Sequence, residues 1–205
     1  MKKNYNWENK EERAETAKKH TQDMEQKYPK EIVFSVQNTT KYLETYQFQA
    51  FSNPEFKPKV IMADSDSVSA IFKYHSNKTA VLNFASFKNP GGAFLNGSRA
   101  QEECLCHEST LYNVLSQFQD SFYTLNLKCL NHALYKNRAL YSKDVLFIHN
   151  NQELKCDVIT CAAPNYKAAH RYQNVDWSKN YAVLRSRIKF IIDIAEEQQV
   201  ETLIL

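Results

Sequence analysis

Glycine is scarce in this chain of 205 residues: it has three, where an average soluble domain of that length carries about fourteen. All three, Gly91, Gly92 and Gly97, fall in one seven-residue window. The scarcity excludes collagen-like repeats, glycine-rich linkers and low-complexity tracts. The dinucleotide fingerprint G-x-G-x-x-G and the phosphate-binding P-loop are both absent. Close backbone approach to a ligand, which a missing Cβ permits, is therefore expected at residues 91–97. Long apolar runs are missing too, none nearing the roughly 20 residues that span a bilayer. The basic start Met-Lys-Lys-Asn-Tyr-Asn-Trp leads into no apolar stretch of a secretory signal, so a cytoplasmic protein without membrane contact is expected. Charge of one sign is also lacking: 26 basic against 23 acidic residues leave a net +3, too even to point to DNA or RNA. The five cysteines, Cys104, Cys106, Cys129, Cys156 and Cys161, are odd in number and are expected to be free thiols of a reducing compartment.

What the chain does hold is 43% hydrophobic and 13% aromatic residues, enough for a folded core. Residues 8–27 read as a polar helix, Glu31–Val36 as a short strand, and Thr39–Phe48 as an aromatic helix. Phe51–Lys59, with Pro54 and Pro58, reads as a surface loop. An alternation follows. Lys59–Ala63 is a β-type run. Asp64 is placed to cap a helix through about His75, with Val68, Ile71 and Phe72 at helical spacing. Thr79–Phe84 is a second β-type run, followed by the glycine window and a helix from Ser98. Asp144–His149 and Asp157–Ala162 read as strands. Asp176 precedes a long helix to about Gln199 with Tyr181, Leu184, Ile188, Ile191, Ile192 and Ala195 on one face. Glu201–Leu205 reads as a further, central strand, so the chain is expected to lack a downstream part. Alternating strands and helices predict an α/β layered domain, whose ligands bind beyond the carboxyl ends of strands. The glycine window sits there, directly after Ala80-Val-Leu-Asn-Phe84.

The window reads as a strand, a glycine turn and a helix start, with Ser98 and Gln101 spaced as a capping box. Gly91 and Gly92 allow backbone N–H groups to face an anion, and a helix N-terminus favours the same charge. Taken alone, Glu102 and Glu103 complement the helix dipole, worth about 0.3–1 kcal/mol each, and paired glycines make a plain turn. Together with the amides Asn83, Asn89, Asn96 and Gln101, they are the parts needed to hold a ribose and a phosphate and to do acid–base work on a glycosidic bond.

The run Asn89-Pro-Gly-Gly-Ala-Phe-Leu-Asn-Gly-Ser-Arg-Ala-Gln-Glu-Glu103 resembles the signature of the microbial-type poly(ADP-ribose) glycohydrolases: a glycine triplet, six to eight spacer residues, then Gln-Glu-Glu. The spacer here, Phe94–Ala100, has seven. Arg13-Ala-Glu-Thr-Ala-Lys, Ser109-Thr-Leu-Tyr112, Leu140-Tyr-Ser-Lys-Asp144 and Asp157-Val-Ile-Thr-Cys-Ala-Ala-Pro-Asn165 resemble further landmarks, so the likeness covers roughly 13–205. It implies a three-layer α/β/α macrodomain-like mixed sheet with an N-terminal helical extension. Residues 1–50 would form the extension packed on the core, and 51–205 the ADP-ribose-binding and catalytic domain, C-terminally incomplete. It further implies hydrolysis of the ribose–ribose O-glycosidic bond of poly(ADP-ribose), the alternative being a non-catalytic ADP-ribose binder or inactive remnant. By the resemblance Glu103 is the general acid and base, Glu102 holds ribose hydroxyls and Gln101 supports that placement. Gly91 and Gly92 face the distal ribose and diphosphate, and Asn83 and Asn89 orient ribose. Ala93 stands where the third glycine belongs, at a cost of about 1 kcal/mol if its backbone is left-handed. A glycine-rich, aromatic loop of the family, expected after a strand matching Glu201–Leu205, has no counterpart in this sequence. No metal or cofactor is implied. The expected partner is ADP-ribose, its polymer or an ADP-ribosylated protein, and a monomer is expected.

Other clusters weigh less. Cys104-Leu-Cys106-His107 and Cys129-Leu-Asn-His132 hint at zinc, but the spacing is not a common finger spacing, and buried thiols are expected, with Cys161 in the core. Tyr166 is the candidate adenine-stacking residue. Lys167, His170 and Arg171 read as a solvated basic loop, with phosphate contact as the alternative.

Overall fold

The structure, a computed structural model, describes residues 9–48 and 58–205. Its frame is a mixed five-stranded sheet in the order β1-β3-β4-β2-β5. The chain opens with α1 (Lys10–Lys27) and α2 (Pro29–Gln37), then β1 (Thr39–Tyr42), α3 (Ser67–Lys73) and β2 (Thr79–Phe84). A 3₁₀ turn at Phe94–Asn96 leads to α4 (Gln101–His107), α5 (Leu111–Ser116) and α6 (Thr124–Leu127). The long hairpin β3 (Ala139–His149) and β4 (Gln152–Cys161) follows, then α7 (Tyr166–Gln173), α8 (Trp177–Glu197) and β5 (Thr202–Ile204). β2 runs parallel to β4 and β5, while β3 is antiparallel to β1 and β4. Asn150 and Asn151 close the hairpin with φ of 50° and 63°, the left-handed pair that a two-residue hairpin turn requires and that asparagine tolerates.

Alternation along β2 sorts the two helical layers. Ala80 and Leu82 face a core completed by Tyr42, Ile159 and the α8 residues Phe190, Ile191 and Ile194. Val81 faces the opposite core, with Val158 and residues of α1 to α5 such as Ala17, Ile32, Ile71, Leu105 and Leu115. A strand buried on both faces needs an almost continuous apolar run, which Thr-Ala-Val-Leu supplies. Asn83 is the polar residue that breaks it, on the α4 side, at the carboxyl end. Among the described residues no helix is long and apolar enough to cross a membrane.

The three-layer α/β/α architecture and the N-terminal helix agree with expectation, but several local readings do not. Glu31–Val36 lies in helix α2, not in a strand: Pro29 presets its first turn, and burying Ile32 and Ser35 against the body outweighs the β-propensity of a short apolar run. Thr39–Phe48 is not helical, because Thr39–Tyr42 completes the sheet edge on β3. Lys59–Ala63 forms no strand, and its Val60 and Met62 are 81% and 94% exposed. Most of the expected loop at 51–59 lies outside the described residues. Asp66, not Asp64, caps α3, its carboxylate accepting from Ser69 N–H at 2.8 Å. On α8, Tyr181 and Ile192 are exposed rather than on the buried face, since a 21-residue helix presents only a stripe to one sheet. Among the described residues β5 pairs with β2, in parallel. Lys167, His170 and Arg171 belong to helix α7 rather than a loop, Asn165 capping it through Ala168 N–H.

Candidate active site

Beyond β2 the chain makes a tight, polar-stapled turn. Ser86 Oγ accepts from the N–H groups of Lys88 and Asn89 at 3.2 and 3.1 Å, and Gly92 N–H returns to the Asn89 carbonyl. Each glycine then sits where a side chain has no room. All three have positive φ, at 64°, 62° and 72°. A Cβ on Gly91 would lie 2.6 Å from the Tyr112 ring, and one on Gly97 2.1 Å from the Lys10 carbonyl of α1. A Cβ on Gly92 would lie 2.6 Å from Glu103 Oε1 and 2.9 Å from Glu102 Oε2, so its missing side chain lets the backbone reach both carboxylates. Ala93 has φ −114°, which any residue adopts, so the left-handed penalty considered for it does not arise.

α4 begins at Gln101, with Ala100 at the N-cap rather than Ser98. The expected pairing of Ser98 with Gln101 is not made, because both the glutamine and the two glutamates are used elsewhere. Gln101 spreads its amide along β2: its Oε1 accepts from Phe84 N–H at 2.8 Å and its Nε2 donates to the Leu82 carbonyl at 2.7 Å. β2 pairs with β5 only as far as Val81, and beyond that point the Gln101 side chain satisfies these backbone groups. A buried peptide group left unpaired is costly, so Gln101 fixes the first turn of α4 against the sheet.

The adjacent carboxylates are held from opposite sides. Glu102, 3% exposed, accepts from Ser86 N–H at 2.7 Å and from Asn83 Nδ2 at 3.3 Å, which ties it to the strand. Glu103, 5% exposed, accepts from Ala93 N–H at 3.0 Å and Ala100 N–H at 2.9 Å, which ties it to the glycine loop. Burial pushes the Glu102 carboxyl up to about 7, against the pull of the Ser86 and Asn83 donors, and the charge of Glu103 adds to the rise. Asn83, fully buried, also reaches Thr160 Oγ1, its register partner on β4, at 3.4 Å. Its Oδ1 has no hydrogen-bond partner among the described residues. Glu102, Glu103, Gln101, Asn83, Gly92 and Ala93 are thus brought together, and Gly91 backs the loop on Tyr112. Asn89 is exposed and, among the described residues, joins through its backbone.

Sequence reasoning missed the residues that support this cluster. Ser86 carries a local signal, a serine closing a turn after a strand. Asn126 donates to the Phe87 carbonyl at 3.0 Å and in turn accepts from Arg138. The Arg138 guanidinium grips Glu44 through two contacts of 2.6 and 2.8 Å, holding the Glu44 carboxyl down at about 2. All three of Thr160, Asn126 and Glu44 are remote in sequence: the β2–β4 register brings in Thr160, and Arg138 joins Asn126 to Glu44.

Fold and site define an α/β/α domain whose ligand edge carries a buried carboxylate pair against a glycine turn. The family model of the microbial-type PARG catalytic domain matches residues 8–150; the chain belongs to that family of poly(ADP-ribose) glycohydrolases, glycoside hydrolases acting on poly(ADP-ribose). Among solved structures, it is similar to poly(ADP-ribose) glycohydrolase from Thermomonospora curvata, with a TM-score of 0.83 and 22% identity over 95% of this chain and 78% of that one. It is also similar to the enzyme from Deinococcus radiodurans solved with ADP-ribose: one structure gives a TM-score of 0.73 and 26% identity over 85% of this chain and 74% of that one. Another gives 0.63 and 30% over 68% and 58%. No match was found among curated proteins.

Proposed function

We propose that this domain releases ADP-ribose from poly(ADP-ribose) with Glu103 as the general acid and then the general base. The observation that carries this is the approach of both buried carboxylates to Gly92, at the carboxyl end of β2. Glu103 protonates the leaving ribose oxygen as the C–O bond breaks, leaving an oxocarbenium-like centre. It then accepts a proton from the water that attacks that centre, which restores the acid. Its two oxygens each take one backbone N–H, and a carboxylate with about four lone-pair sites keeps capacity for a further partner. Glu102 accepts from ribose hydroxyls. With its carboxyl at about 7, it is divided between charged and neutral forms near neutrality, so it also donates. The partnerless buried Asn83 Oδ1 takes a ribose hydroxyl, and the Gly91–Gly92 backbone faces distal ribose and diphosphate, with Asn89 at the rim. The same reading has a monomer acting in the cytoplasm on free or protein-attached polymer. Free thiols at Cys104, Cys106, Cys129, Cys156 and Cys161 support a reducing compartment.

Incubation with poly(ADP-ribose) and quantification of free ADP-ribose tests the proposal. Glu103→Gln is expected to lower turnover by about 10²–10⁴-fold, the usual contribution of one general acid–base group. Wild-type turnover in that variant would sink the assignment of Glu103.

A further inference from the structure

The helical layer that follows β4 carries an exposed aromatic row which the core does not use. Tyr166 at the start of α7 meets Trp177 at the start of α8 edge-on at 5.3 Å, and Trp177 meets Tyr181 one turn on at 6.5 Å. Trp177 and Tyr181 are 60% and 56% exposed. Large aromatics at this exposure are a poor use of apolar area unless something covers them. Lys167, Arg171 and Lys179 are exposed on the same two helices, the Arg171 guanidinium lying over the Tyr172 ring at 5.4 Å. The stretch 163–189 holds a single acidic residue, Asp176, and its carboxylate is engaged as the N-cap of α8, accepting from Lys179 N–H at 2.7 Å. Exposed π-faces on helices that carry an excess of exposed cations match one ligand chemistry: a flexible polyanion that carries bases.

Topology places this face beyond the same end of the sheet as the carboxylate site. Cys161, the last residue of β4, pairs with Phe84 of β2, and the Gln101 amide is bonded to Phe84. Tyr166 follows five residues after Cys161, a span of at most about 18 Å. α8 then runs back along the sheet to β5, and Arg187, ten residues after Trp177, bonds the Ala162 carbonyl just past β4, so the first turn projects about 15 Å beyond the rim where β2 and β4 end. Resting on the hydrolase reading above, we infer that this face binds poly(ADP-ribose) units beyond the two that flank the cleaved bond. Adenines stack on Trp177 and Tyr181, and pyrophosphates lie against Lys167, Arg171 and Lys179. The face thereby favours long chains over short ones.

Turnover of long poly(ADP-ribose) and of the two-unit oligomer should be compared in wild type, Trp177→Ala and Arg171→Glu/Lys179→Glu, all surface changes. Both variants are expected to lower kcat/KM on long chains by about tenfold, the order of one lost base stack, through KM. Turnover of the two-unit oligomer should be unchanged, and the charge reversal should flatten the salt dependence on long chains. An equal fall on both substrates, or none on either, overturns the inference. If the wild type cleaves neither, the hydrolase reading fails by itself, and the face is judged by anisotropy of labelled long polymer on Glu103→Gln protein. Weaker binding with Trp177→Ala added supports it, and unchanged binding overturns it. Single-stranded RNA of equal charge binding as tightly as the polymer also overturns it, since the face would then be a nucleic-acid site.

Discussion

Gly92→Ala is the sharpest test of the site's geometry. The added methyl would sit 2.6 Å from Glu103 Oε1 and 2.9 Å from Glu102 Oε2, where ordinary contact begins at 3.4 Å. Glu103 must therefore withdraw by about 0.8 Å, and it is held by two backbone N–H groups that move only with the loop. A non-glycine residue at φ 62° adds about 1–2 kcal/mol of backbone strain. That strain lowers Tm by about 2–8 °C in a domain of this size. Misplacing a reacting group by about 1 Å costs about 10²-fold in rate. Turnover of the two-unit oligomer should thus fall by about 10²-fold while the protein stays folded. Asp176→Ala removes the N-cap of α8 on the far layer, at about 1 kcal/mol, and supplies the stability-matched control on the same short substrate. If Gly92→Ala keeps wild-type kcat, or if Asp176→Ala loses as much activity, the packing of both carboxylates on Gly92 is not what organises the chemistry.

Two further perturbations probe the frame. Burial raises the Glu102 carboxyl from 4.5 to about 7, so the fold favours its protonated form. The associated stability is fully present below pH about 4.5 and is lost as pH rises through about 7. Denaturant unfolding between those limits should show the wild type losing up to about 3 kcal/mol relative to Glu102→Gln, and parallel pH profiles would refute the buried-carboxyl account. Gly97→Ala would press a methyl to 2.1 Å from the Lys10 carbonyl of α1, a backbone atom that cannot rotate away. Strain and overpacking together predict a loss of about 2–4 kcal/mol, with faster amide exchange in α1, and an unchanged Tm would show that α1 does not seat on the loop.

The parts of the molecule legible from sequence were those with dense local signals. Gly91, Gly92, Gln101, Glu102 and Glu103 sit within thirteen residues, and β2 and α8 carry unmistakable apolar patterns. Short apolar runs misled, since periodicity does not separate a half-buried helix from a strand over five or six residues. Glu31–Val36 became a helix because α2 packs on β3, and Lys59–Ala63 became exposed chain because no strand pairs with it among the described residues. Gln101 was expected to support the glutamates, yet its means, bonding the Phe84 N–H and the Leu82 carbonyl of β2, depends on how α4 packs on that strand. The Asn83–Thr160 pairing and the Glu44–Arg138–Asn126 relay to the loop join residues that only tertiary structure makes neighbours.

The opposite tethering of Glu102 and Glu103 divides the site along a line of motion. Glu102 belongs mechanically to the strand through Ser86 and Asn83, and Glu103 to the glycine loop through Ala93 and Ala100. A brief local opening of residues 89–100 would therefore release both partners of Glu103 and leave those of Glu102 in place. Two amides, Ala93 and Ala100, should exchange with solvent as one kinetic unit, ahead of Ser86. The spacing between two consecutive side chains would then vary on the timescale of a loop rather than of a helix, and substrate that pins the loop would bring both to the slow rate together.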